Sequence, residues 1–136
     1  MLDTNIQKKC RKLYNDALQG KRLLQSEECV LAQSCHYSYL YAKYVLHRRF
    51  LQAEPYLAKD AHWAYKYAFD IIKGRFPAAE SELLKSCFYI YSYAIEIMNK
   101  RWRKAEVFLA QDQTLYASYV RHFSIYEIGG IFVCVI

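Results

Sequence analysis

Apolar side chains in the middle of the chain recur at helical spacing. Ala64, Tyr67, Ala68, Ile71 and Ile72 fall at i, i+3, i+4, i+7 and i+8, a stripe wide enough to bury one face of a helix. Tyr41, Ala42, Val45 and Leu46 carry the same stripe upstream, and Tyr93, Ala94, Ile97 and Met98 carry it downstream. The pattern predicts a helix A from about Ala61 to Lys73, ended by a left-handed Gly74. A shorter helix B follows. Pro77 suits its first turn, Ala79, Leu83 and Leu84 form its inner face, and Glu80 and Glu82 lie near its positive end. Asp60, Ser86 and Asp112 stand just before successive copies of helix A, where their side chains are predicted to cap it.

The pattern is a repeat. "YLYAKYVLHRRFLQAEPYLAKD" from Tyr39, "YKYAFDIIKGRFPAAESELLKS" from Tyr65 and "YSYAIEIMNKRWRKAEVFLAQD" from Tyr91 align without a gap, 26 residues apart. Tyr41, Tyr67 and Tyr93 form one column and Ala42, Ala68 and Ala94 the next. Arg49, Arg75 and Arg101 are each followed by an aromatic residue, Phe50, Phe76 or Trp102. Glu54, Glu80 and Glu106 close the shared core of the motif. A worn copy at about 8–34 aligns at an offset of 27, with Tyr14 under Tyr41, Arg22 under Arg49, Leu23 under Phe50 and Glu27 under Glu54. Three full copies at about 35–60, 61–86 and 87–112 precede a partial one at 113–136. Helices this short are marginal alone, so the expectation is one all-α domain over 1–136, an α-solenoid of four to four and a half stacked hairpins.

Two columns carry charge. The arginines and glutamates lie five residues apart, which makes an ion-pair ladder, or alternatively an arginine row facing an acidic or phosphate ligand. The outer tyrosines Tyr39, Tyr65 and Tyr91 sit about 200° around the helix from the core column. They pack within the stack, or they line an open surface with Trp63 that suits protein recognition or base stacking.

Composition narrows the function classes. At 54% hydrophobic the chain should fold, and 4 Gly with 2 Pro argue against an all-β protein. The net charge of +6 favours acidic partners but is concentrated in no basic run. Five cysteines without a CxxC pair read as reduced thiols in a cytosolic setting. Cys29, Cys35 and His36 fall short of a structural zinc set. No nucleophile–base–acid set, cofactor motif, secretory leader or membrane span is visible. At the C-terminus Gly129 and Gly130 are read as stopping the last helix. Ile131–Ile136, with Phe132 at its centre, is an apolar, β-prone run that either covers the open end of the stack or serves self-association or partner binding.

"YKYAFDIIKGRFPAAE" and "EPYLAKD" resemble the tandem helical repeats of proteins encoded mainly by bacteriophages and other large DNA viruses. These repeats read roughly Tyr-x-Tyr-Ala, apolar residues, Lys-Gly-Arg-Trp/Phe-Pro, Ala-Glu and Lys-Asp. The resemblance covers about Tyr37 to Phe123 and implies viral origin and a repeat fold, with no catalytic activity attached. Together the readings point to a non-enzymatic interaction module, a phage accessory protein that binds and inhibits a host protein, such as a defence factor, in the host cytoplasm. The alternative is a nucleic-acid or nucleotide binder using the arginine and tyrosine columns.

Overall fold

The computed structural model describes residues 2–123 in full, and Ile125–Ile128 and Ile131–Cys134 through their backbone. Through Phe123 the described chain is helices and connecting turns, in two compact units, Met1–Glu82 and Leu83–Ile136.

The first unit opens with α1 (Thr4–Leu18), an uninterrupted α-helix capped by Asp3, whose carboxylate accepts from the Asn5 N–H. Cys10, Tyr14 and Ala17 form its buried stripe. Gly20, at φ 103°, turns the chain into α2 (Gln25–Leu31), where the Glu27 carboxylate accepts from the Leu24 N–H at 2.9 Å.

Two copies of a different unit follow. Helix A begins as α3 (Cys35–Tyr41) and again as α5 (Ala61–Tyr67). The Ser34 and Asp60 side chains cap them by accepting from the Tyr37 and Trp63 N–H groups. Each then widens into a π-helical turn, Ala42–Leu46 and Ala68–Ile72. The Ala68 carbonyl accepts from both Lys73 (2.8 Å) and Gly74 (3.3 Å), a reach of five and six residues in place of four. The helix ends in a left-handed residue, His47 at φ 52° and Lys73 at φ 56°. The left-handed position is therefore Lys73 and not Gly74: the wide turn brings the bend one residue earlier than an α-helical count places it.

Phe50 and Phe76 come next, extended and buried, and each begins helix B. Helix B is a 3-10 turn, Leu51–Ala53 or Pro77–Ala79, running into a single α-turn, α4 (Glu54–Leu57) or α6 (Glu80–Leu83). Pro77 heads its turn as its missing N–H allows. The core of this unit gathers Tyr41, Ala42, Phe50, Ala53 and Leu57 with Ala64, Tyr67, Ala68, Phe76 and Ala79.

The second unit repeats the plan. Its helix A is α7 (Cys87–Ser92) with a π-helical turn at Tyr93–Met98 and a left-handed Asn99 at φ 54°. Its helix B is a 3-10 turn, Arg103–Ala105, with α8 (Glu106–Leu109). Ser86 occupies the N-cap position of α7 but makes no side-chain cap bond, unlike Asp112, which caps α9 (Gln113–His122) through the Leu115 N–H at 3.0 Å. Leu83, Ile90, Tyr93, Ala94, Trp102, Ala105, Leu109 and Tyr119 are its buried core.

The last helix ends at His122, before the two glycines expected to stop it. Two antiparallel strands follow, β1 (Ile125–Ile128) and β2 (Ile131–Cys134), with Ile128 opposite Ile131 and Glu127 opposite Phe132. Two β-prone runs separated by two residues have the spacing of a tight hairpin, which competes successfully with a fifth helical copy. Gly129, Gly130 and the end of the apolar run at 135–136 lie outside the described residues, as does the side chain of Phe132. Among the described residues no helix is long and apolar enough to cross a membrane.

Candidate functional site

The arginine and glutamate columns meet within each copy. Arg49 donates from Nε and Nη2 to the two carboxylate oxygens of Glu54 at 2.6 and 2.7 Å. Arg75 forks onto Glu80 at 3.0 and 2.6 Å, and Arg101 onto Glu106 at 2.9 and 3.0 Å. The five-residue spacing works because the extended aromatic residue and the 3-10 turn fold the chain back on itself between the two side chains.

The core tyrosines complete this network. The Tyr67 hydroxyl donates to Glu54 Oε1 at 2.9 Å and accepts from the Phe50 backbone N–H at 2.9 Å. Tyr119 does the same in the second unit, to Glu106 at 2.8 Å and from Trp102 N–H at 2.9 Å. Helix A of one copy is thus bonded to helix B of the copy before it. Burial first, then the carboxylate, push both phenols well above their ordinary range, so they stay protonated donors. Tyr41 makes the corresponding bond to Glu28 at 2.9 Å. The glutamate of the first copy is therefore Glu28, while Glu27, aligned with Glu54 from the sequence, caps α2 and pairs with Lys21. The column alignment alone does not pair these residues, although a constant Glu-to-Tyr separation of 13 residues carries the bond.

The outer positions gather into an aromatic and cationic face on the helices A of the first unit. The Trp63 ring stacks on His36, with centroids 5.0 Å apart, and lies 5.5 Å from Tyr39. Lys66 Nζ sits 5.5 Å from the Tyr39 ring centre and 5.7 Å from that of Trp63. Lys43 Nζ also lies over the Tyr39 ring, at 5.6 Å. Tyr39 is itself buried and donates its hydroxyl to the Asp70 carboxylate; Lys43 adds a 3.3 Å bond to that hydroxyl and stands 3.7 Å from Asp70. Tyr65 is half-buried and stacks with exposed Phe69 at 6.2 Å. Burial, then Lys66, hold the His36 imidazole below its usual range, which keeps it neutral for stacking.

Beside this face, between the π-helical turns Ala42–Leu46 and Ala68–Ile72, lies a cleft of about 280 Å³ lined by Lys43, His47, Arg48, Asp70, Ile71 and Lys73. In the second unit Tyr91 is half-buried and Phe88, 58% exposed, meets Tyr89 edge-on. The Arg101 side chain is only 12% exposed against 48% for Arg49 and 43% for Arg75, so the arginine column is not one uniform surface row.

Two thiols hold equivalent backbone contacts in the two units. Cys35 donates to the Tyr56 carbonyl at 3.5 Å and Cys87 to that of Phe108 at 3.4 Å, 21 residues on in both units. Burial, helped by Asp60, pushes the Cys35 thiol up to about 11, a proton state unsuited to a metal ligand. Among the described residues no three His, Cys, Asp or Glu side chains converge on a metal position. No protein-family model matches the chain, and neither a curated protein nor a solved structure matches it.

Proposed function

We propose that the chain is a non-enzymatic protein–protein interaction module whose 26-residue helical copies stack as an α-solenoid. The observation that carries this reading is the aromatic and cationic face of Trp63, Tyr65, Phe69, Lys43 and Lys66, set around buried Tyr39 on two adjacent helices A. Half-exposed aromatic rings held by stacking and cation–π contacts lose little freedom on association, which suits recognition of a protein surface. The resemblance of the repeats to phage-encoded proteins supplies the setting: an accessory protein acting on a host protein, a defence factor being one such target, in the host cytoplasm.

The test is capture from host lysate with the wild-type chain beside Trp63→Ala and Phe69→Ala. One stoichiometric protein should be recovered by the wild type and lost by both variants while their helical circular dichroism is unchanged. Equal recovery by all three removes this face as the contact.

The rival reading, nucleic-acid binding through Arg49, Arg75 and Arg101, meets the glutamates: each of these guanidinium groups has Nε and Nη2 turned onto a carboxylate. Binding of single-stranded DNA or RNA that falls steeply with salt would restore it.

A further inference from the structure

We propose that the cleft between the π-helical turns Ala42–Leu46 and Ala68–Ile72 is an anion site that takes one phosphomonoester group. The reading rests on the cleft alone and holds whether or not the neighbouring aromatic face binds a protein.

Charge is the first support. Lys43, His47, Arg48 and Lys73 line the cleft against one carboxylate, Asp70. That carboxylate is engaged by the Tyr39 hydroxyl and by Lys43, which leaves the Arg48 and Lys73 charges unmatched; among the described residues neither makes an ion pair. Two unmatched positive charges complement a phosphomonoester, which carries about −1.5 to −2 at neutral pH. The volume of about 280 Å³ lies at the small end of ligand pockets, room for a phosphoryl head with little of what carries it.

The backbone shapes the cleft. His47 and Lys73, at φ 52° and 56°, hold a left-handed conformation that glycine adopts without steric cost, and both line the cleft. The third copy bends the same way at Asn99, so the conformation belongs to the repeat; at the cleft it sets where the His47 and Lys73 side chains stand. A polynucleotide is disfavoured, because the arginines that would track a phosphodiester chain past the cleft, Arg49 and Arg75, are forked onto Glu54 and Glu80.

The phosphoryl group has two sources, a free phosphomonoester or a phosphorylated side chain, and one experiment separates them. The full-length, 15N-labelled chain is titrated at constant ionic strength with inorganic phosphate, with AMP and with a phosphoserine peptide. Amide shifts should concentrate at 43–48 and 70–74. Arg48→Ala and Lys73→Ala should each weaken binding by about tenfold with unchanged circular dichroism, while Arg103→Ala, an exposed cation of the other unit, should not. Tighter binding of AMP than of inorganic phosphate assigns the free ester, and tighter binding of the peptide assigns the side chain. The proposal is overturned if no shifts appear, if they spread over the exposed lysines, or if a single-stranded oligonucleotide binds more tightly than any monoester.

Discussion

The opening hairpin α1–α2 and the copy that follows it, from α3 to α4, share a register but not a construction. In the first, helix A is a continuous α-helix ended by a left-handed glycine, Gly20, and its glutamate, Glu28, receives only the Tyr41 hydroxyl. In the second, helix A widens into a π-helical turn, ends on left-handed His47, and delivers an arginine that forks onto the same glutamate that receives a tyrosine. The glutamate-to-tyrosine bond is thus the part of the joint that survives where the arginine, here Arg22, makes no fork and the wide turn is absent. Arg49 adds orientation and charge balance to a carboxylate that is mostly covered, at 15% exposed.

If that is so, the largest effect belongs to the tyrosine hydroxyl with two partners. Tyr67→Phe orphans both the Phe50 N–H and part of the Glu54 carboxylate and should cost about 1–3 kcal/mol in denaturant unfolding, whereas Tyr41→Phe should cost about 1 kcal/mol or less. Equal losses would erase the difference between the two joints. The same pair sharpens it in alkali. Because the folded Tyr67 phenol titrates above its unfolded value, its contribution is complete below about pH 10 and declines as pH rises beyond that, so Tyr67→Phe should show a shallower alkaline loss of stability than wild type.

Next come the helix ends. Gly20→Ala should destabilise by about 1 kcal/mol, since φ 103° is strained for any residue with a Cβ, while His47→Gly should be neutral or stabilise by up to about 1 kcal/mol. A thermal unfolding series reads both, and a destabilising His47→Gly would mean that the imidazole holds the turn. The smallest effects are the ion pairs. Arg49→Ala should cost up to about 1 kcal/mol through its two bonds to Glu54, and Lys21→Ala, a single contact at 3.1 Å with a half-exposed lysine, close to nothing.

Much of this architecture could be read from the chain. The alanine and tyrosine columns, the extended aromatic residue and the Asp60 and Asp112 caps express local chemistry that repeats at fixed spacing. The π-helical turns were invisible because one widened turn leaves the i, i+3, i+4 stripe of Ala64, Tyr67 and Ala68 intact and shifts only what comes after it. For the same reason the left-handed bend was placed at Gly74, one residue late. The alignment points to Glu27 in place of Glu28 because the worn copy has four residues between Leu23 and its glutamate where the next has three between Phe50 and Glu54. Of the candidate face, the row of outer tyrosines was legible, but the burial of Tyr39 and its link to Asp70 were not, since they depend on how one helix A lies against the next.

The tyrosine joint has a direction. In each described case the hydroxyl belongs to the later copy and the carboxylate to the earlier one: Tyr41 to Glu28, Tyr67 to Glu54, Tyr119 to Glu106. Because the glutamate precedes the tyrosine in the chain, at each of these three joints the carboxylate is made before the hydroxyl that covers it. At these joints the earlier copy is thus the template and the later one the part that locks onto it.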